Sequence, residues 1–417
     1  MNSNRVLLTV VAVVFGVVNS AAAQPLSIET TLVDAETLHG ATFQSNNQKV
    51  VANSRGIFMT YLRTRNEDYT AQQWRLSQST DGGKSFQTLY ESTDATNPPM
   101  LETDSADNLY IGHPDWVSMD AVLVRLLAAE DYRAPHITRA PKGASGKYSM
   151  ALDVKRGHVC YFSHGGKLIR FGLDGEVKSN TLLLKHGGKA VPQYTHLHFT
   201  PDGTLHAAWT SLNVPIRRYW GIHHLQSHDG GETWRAFTTK NFQLPVAADE
   251  TGPSDRITLD DEFEPSTWLS NTLSKDGKTH FLYDARTEPP RQHYVRYDTA
   301  TGQRDVDHQP EFRGDKLAIH GLDGFFATDS RKPGTPLYCV SHDARGPRLV
   351  CLRSDDNGET WHDHAVSEPF TRPYAIGGCR EVTSDGWIIG SFTEVLGEGK
   401  ALTGRVHFFR IAIRPRG

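Results

Sequence analysis

The sequence predicts an all-β fold, a seven-bladed β-propeller with four-stranded blades, on three observations. A turn-and-strand phrase returns at a period near fifty residues, a longer turn motif occurs three times where that phrase leaves room for it, and no Pro/Ser-rich linker or shift of composition divides the chain.

The phrase is clearest in PDGTLHAAWT (Pro201 to Thr210), where the Asp202-Gly203 turn precedes a run of β-branched, aromatic and small apolar residues. Its turn marker recurs at Gly56, Asn108, Gly157, Gly203, Gly277, Gly334 and Gly386, in steps of 52, 49, 46, 74, 57 and 52 residues. The second motif reads S-x-D-x-G-x-[ST]-[WF] at Ser79 to Phe86, Ser227 to Trp234 and Ser354 to Trp361. These are Asp boxes: the Asp accepts hydrogen bonds from turn N–H and hydroxyl groups, Gly takes a positive φ, and the aromatic packs between sheets.

Each blade then reads as strand one, the DG-type turn, strand two, a loop, strand three, the Asp-box turn and strand four. The frame sets blades at 28–92, 93–142, 143–188, 189–261, 262–314, 315–368 and 369–415. The step of 74 residues carries an extra segment, Leu244 to Glu264, expected as a long loop leaving blade four.

The N-terminus adds an expectation about location. Arg5, the apolar run Val6 to Val18 and Ala21-Ala22-Ala23 read as a secretory signal over residues 1–23, leaving 24–417 as a single propeller domain, secreted or periplasmic. A signal anchor left in place is the alternative. The formal net charge of -4 provides no basic stripe for nucleic acid, no other stretch is apolar enough for a membrane, and the chain is expected to act as a monomer. Cys339 and Cys351 flank a hairpin loop through Arg345-Gly346 and could face one another; buried free thiols are the alternative, also for Cys160 and Cys379. No cofactor is called for. A structural cation on the acidic loop Asp255 to Glu264 stays open beside the reading of an ordinary solvated loop.

Ligand-binding residues are expected where first strands start and second strands end, around the central channel. The second-strand ends are Arg63, His113, His164, Thr210, Asp284, His342 and Thr393, all polar. First-strand starts add Asn97, Tyr148, Tyr194 with His196, Ser266 with Trp268, His320, and Arg372 with Tyr374. The loop of blade four adds Arg217, Arg218, Tyr219 and Trp220, with Arg286 and Arg380 nearby. Guanidinium forks suit a carboxylate and flat aromatics suit a pyranose, so an acidic polysaccharide or oligosaccharide is the expected partner. The histidines, with an ordinary pKa near neutrality, add a candidate acid or base.

The runs YTHLHFTPDGTLHAAWT (Tyr194 to Thr210) and YWGIHHLQSHDGGETW (Tyr219 to Trp234), followed by LPV (Leu244 to Val246), resemble the BNR-repeat propellers that include ulvan lyases, and more distantly the sialidase-like group. The resemblance implies β-elimination at a uronic acid, with His and Tyr as acid and base and an Arg offsetting the carboxylate's charge. Carried over residue by residue, His113 or His164 takes the second-strand histidine position and Tyr194 the tyrosine position. Two positions depart: blade two starts with Asp94-Ala95-Thr96-Asn97, without the paired histidine, and the arginine position falls on or near Thr210. Arg217 or Arg218 is the candidate replacement. Two other readings stay open. A glycosidase of sialidase or rhamnosidase type would draw on Arg63, Arg286, Arg372, Tyr374, Glu262 and Glu264. A non-catalytic glycan-binding propeller would need no matched acid and base.

Overall fold

A computed structural model describes residues 24–44, 48–64, 72–93, 97–144, 146–262, 266–318, 323–343, 347–399 and 402–414. The expected signal segment, Glu264, His320 and the Arg345-Gly346 turn lie outside the described residues.

The described chain forms an all-β propeller with six four-stranded antiparallel blades. The first joins Val50–Asn53, Gly56–Thr64, Gln72–Ser79 and Gln87–Glu91; the second Met100–Thr103, Leu109–Pro114, Ala121–Leu126 and Pro135–Ala140; the third Tyr148–Asp153, His158–Ser163, Lys167–Gly172 and Val177–Leu182. The fourth holds Ala190–Phe199, Leu205–Asn213, Arg218–Ser227 and Asp255–Arg256, and the fifth Thr267–Lys275, Lys278–Ala285, Arg291–Asp298 and Arg304–His308. The last blade is Pro373–Gly378, Trp387–Leu396 and Thr403–Ala412, completed on its outside by the N-terminal strand Glu29–Leu38. First strands of successive sheets touch one another, and Val50–Asn53 touches Trp387–Leu396.

The expectation of seven equal blades is corrected to six. Residues expected as the sixth blade instead belong to a seven-stranded sheet. Its strand Leu337–Asp343 pairs with Leu349–Ser354 on one side and with both Phe325–Thr328 and Asp315–Ala318 on the other; Glu311–Phe312 and His362–Val366 extend it, and Leu26–Ser27 adds a parallel edge. The N-terminal strand is likewise corrected: it pairs with Thr403–Ala412 and takes no part in the first blade.

Period-two alternation builds the core between sheets. Leu197, Trp209 and Leu225 of the fourth blade pack on Cys160, Phe162 and Leu168 of the third. From the other face, Ala208 and Ile222 pack on Leu269, Phe281 and Tyr283 of the fifth. All four cysteines are free and buried. Cys339 lies opposite Leu352, one residue out of register with Cys351, and so the two thiols enter different cores and cannot bridge.

The Asp boxes form as the sequence implies. Asp229 Oδ1 accepts from the N–H groups of Glu232 and Thr233 at 3.1 and 2.9 Å, and its Oδ2 accepts from Thr233 Oγ1 at 2.6 Å. Ser227 Oγ donates to Asp229 at 2.8 Å and accepts from Gly231 N–H at 2.8 Å, with Gly231 at φ +94°. Burial would raise the Asp229 carboxyl, but the bonds from Thr233, Ser227 and Glu232 outweigh it and hold the group below the usual range. Trp234, fully buried, seals the interface between the third and fourth blades. Asp229→Ala should cost about 1–2 kcal/mol, read as a lower denaturant midpoint.

The extra segment does not leave the fourth blade. Arg235 makes a single bridge to Gln226, the chain then loops outward, and Asp255–Arg256 returns as the blade's fourth strand beside His223 and His224. Four of its acidic residues are engaged: Asp255 with His224 at 3.2 Å, Asp260 with Arg256, Asp261 with Arg291 at 2.6 Å and Glu262 with His293 at 2.5 Å.

Strands one and three of a blade run the same way, so the DG-type turns and the Asp boxes share one end of the molecule. First-strand starts and second-strand ends share the other, and there the polar side chains gather.

Candidate active site

The fourth blade's first strand is irregular where it enters this face. Its register with the second strand slips between Gln193 and His196, and Tyr194 takes a φ of +44°, a conformation that a large side chain adopts at a cost. The bulge turns the Tyr194 ring against Trp268, with centroids 5.4 Å apart, and against Tyr219, at 5.3 Å. Tyr219 packs edge-on to Trp268 at 4.6 Å, and the Arg286 guanidinium lies 5.5 Å above the same indole. Blades four and five thus supply an aromatic box with a cation at its rim.

The third blade supplies the charge inside it. Lys147, just before the first strand, lies 4.1 Å from the centre of the Tyr194 ring. Its Nζ donates to Gln193 Oε1 at 2.7 Å and to Tyr219 Oη at 3.1 Å, and Tyr219 Oη donates to Tyr194 Oη at 3.3 Å. An ammonium has three donors, so one remains for a ligand. Burial, then the bond from Tyr219, pushes the Tyr194 phenol well above its usual range, so it stays protonated.

His164 adjoins this chain. Its Nδ1 accepts from the Lys147 backbone N–H at 3.1 Å, and its own N–H donates to the Lys147 carbonyl at 2.8 Å. With Nδ1 accepting, the proton of the neutral ring sits on Nε2. Burial, then the Lys147 charge, lowers the imidazole to about 4. The expectation of a histidine titrating near neutrality is therefore corrected for His164; His196, expected to bind substrate, lies 3% exposed in the interior and is lowered to about 3 mainly by burial.

Across the face, Tyr374 is within electrostatic reach of Tyr194, and burial, then the Asp323 charge, raises its phenol. His342 lies 3.7 Å from Asp323.

Other expected residues are not drawn in. His113 shares a strand face with Leu109 and Ile111, and it packs at a tilt against Trp74, centroids 5.7 Å apart, in the core between the first two blades, 1% exposed. Arg63 pairs with Asp34 at 3.6 Å and with Glu36, carboxylates brought by the N-terminal strand. Arg217 sits on an exposed turn and Arg218, also exposed, opens the third strand; among the described residues neither side chain hydrogen-bonds Lys147, Tyr194 or Tyr219. Trp220 follows Tyr219, and alternation carries it to the other face of the sheet. Arg372 is exposed at its first-strand start. Arg380 pairs with Glu102 and donates to the Leu197 carbonyl at 3.3 Å, inside the channel. Glu262 bonds Tyr283 and His293 rather than Tyr374, so among the described residues it does not form the Tyr–Glu pair of a sialidase.

Sequence reading missed Lys147 and Gln193. The signal was present in GKYSM, a cation directly before a first strand, at a position equivalent to those searched for arginine and histidine.

No protein-family model and no curated protein matches the chain. Among solved structures, it is similar in fold to a PL25 ulvan lyase, a polysaccharide lyase bound to -[GlcA(1-4)Rha3S]-, with 11% identity over 93% of this chain and 96% of that one and a TM-score of 0.64. A second structure of a PL25 ulvan lyase gives 10% identity over 93% and 95%, with a TM-score of 0.59. Identities this low establish the propeller fold and leave the chemistry to the residues.

Proposed function

We propose that this protein is a carbohydrate-active lyase that cleaves a uronate-containing glycan by β-elimination at the Lys147, His164, Tyr194 and Tyr219 cluster. One observation carries the reading: a single ammonium, Lys147, is hydrogen-bonded to one of two linked phenols and stacked on the other.

The C5 proton of a uronate leaves only if the carboxylate's charge is offset while the enolate forms. Lys147 has its third donor for that carboxylate, and the neutral His164 offers Nε2–H as a second. Tyr219 Oη takes the C5 proton as it passes its own along its hydrogen bond to Tyr194. The C5 electron pair becomes the C4–C5 double bond, the C4–O4 bond breaks, and Tyr194 gives its proton to the departing oxygen. Lys147 thus performs the part for which the sequence suggested Arg217 or Arg218. Trp268, carrying Arg286, serves as the platform for the sugar ring. The fold shared with an ulvan lyase is consistent with such a substrate.

The reading is tested by incubating purified protein with ulvan, glucuronan, gum arabic and a sialyl-lactose control, following ultraviolet absorbance and reducing ends together. Elimination raises both, because each cut leaves an unsaturated uronate; reducing ends or free sialic acid without absorbance mean hydrolysis and reject it. Tyr194→Phe should slow the reaction about 10²–10⁴-fold while leaving polymer binding largely intact.

A further inference from the structure

A cavity of about 420 Å³ opens on the same end of the molecule, between the turn Lys185 to Gly188 and the segment Phe242 to Pro253. The extra segment of the fourth blade is what builds it. Leu184-Lys185 pairs in parallel with Val246-Ala247, and the Ala248 carbonyl accepts from Trp209 Nε1 at 2.8 Å and Ser211 Oγ at 2.5 Å, fixing the outer wall to the end of a second strand.

The lining presents a lysine and a histidine. Lys185 and His186 are exposed, and among the described residues neither side chain has a hydrogen-bond or ion-pair partner. The nearby carboxylate, Asp249, is 5% exposed and accepts from Thr251 N–H at 3.2 Å and Thr251 Oγ1 at 2.5 Å. At Gly188 a side chain would meet nothing within 4 Å, so the mouth is open there.

The cavity's wall is bonded to the turn that follows His164. The Gly166 carbonyl, two residues past His164, accepts from the N–H groups of Leu183 and Leu184, which lead into the wall. His186 is near enough to His164 for its charge to oppose protonation there.

We infer that this cavity is a distal subsite of the glycan chain, and that Lys185 and His186 hold an anionic substituent there, a sulfate ester or a second carboxylate. The inference rests on the uronate-glycan reading above but not on its chemistry. An unpartnered ammonium and an unpartnered imidazole at the mouth of a preformed cavity offer an anion donors that no carboxylate already holds.

The test is native affinity electrophoresis of the full chain in gels containing ulvan or chemically desulfated ulvan. Wild type is compared with Lys185→Ala/His186→Ala, with Gly188→Trp, which blocks the mouth without changing charge, and with Lys147→Met. The double variant should bind ulvan about tenfold more weakly, and Gly188→Trp should lose retention on both gels. A loss in the double variant confined to the sulfated gel assigns a sulfate ester; an equal loss on both assigns a carboxylate. Retention of both variants like wild type on both gels overturns the subsite, as does a wild type that neither gel retards. The two readings fail separately. If wild type forms no unsaturated product yet the double variant loses retention, elimination falls and the subsite stands. If wild type and variants cleave with the same KM and Lys147→Met does not cleave, the subsite falls alone.

Discussion

Lys147→Met is expected to lower kcat for uronate elimination about 10²–10³-fold, with a smaller change in KM. Methionine keeps the length and apolar stem that pack on the Tyr194 ring, so the box survives while the charge goes. The loss should fall on kcat because the ammonium matters most when the enolate develops its negative charge. Arg63→Ala is the contrasting control. Arg63 is already neutralised by Asp34 and Glu36, so its removal should leave turnover near wild type. An unchanged rate in Lys147→Met would remove the cation from the mechanism.

The second large effect is on stability. Glu262 is fully buried and accepts from Tyr283 Oη at 2.9 Å and the Leu259 N–H at 3.0 Å while pairing with His293, which pairs in turn with Asp307 at 2.8 Å. Burial would lower the His293 imidazole, but its bonds to Asp307 and Glu262 outweigh that and raise it to about 9. Glu262→Gln should cost about 3–5 kcal/mol, since it leaves a buried cation with one partner in place of two. The sign with pH follows. A folded-state pKa above the ordinary imidazole value of 6.5 means that the His293 contribution is complete below 6.5 and is lost as pH rises through about 9. Denaturant midpoints should therefore fall between those values in wild type, and the fall should be smaller or displaced to lower pH in Glu262→Gln. A flat profile across that window would show that His293 is not held as a cation.

What was legible in the sequence was what local bonding decides. The Asp boxes were readable because Ser227, Asp229, Gly231 and Thr233 bond within four residues of one another, and the blade strands because their alternation is written in order along the chain. Contacts between distant strands were not. Nothing near Arg63 in sequence announces Asp34, which arrives only because the N-terminal strand joins the last blade. His113 was misjudged although its alternation with Leu109 and Ile111 pointed to a core face; the polar strand end outweighed a pattern that was there to be seen. Tyr194, Trp268 and His164 are named from strand ends, Tyr219 from the loop of blade four and Arg286 from just past a second strand, and the fold brings them together. Lys147 was missed because its meaning depends on Gln193 and Tyr219 of the next blade. The blade count failed for a related reason: the turn marker at Gly334 recurs on schedule, but spacing cannot reveal that two separate strands, Asp315–Ala318 and Phe325–Thr328, pair with Leu337–Asp343.

The most direct measurement is a crystal structure of Tyr194→Phe with a glucuronate-containing oligosaccharide of ulvan. The account predicts the uronate carboxylate on Lys147 Nζ, the sugar ring against Trp268, and C5 facing Tyr219 Oη. A carboxylate held elsewhere on the face, on Arg372 for instance, with Lys147 still bound only to Gln193 and Tyr219, would contradict it.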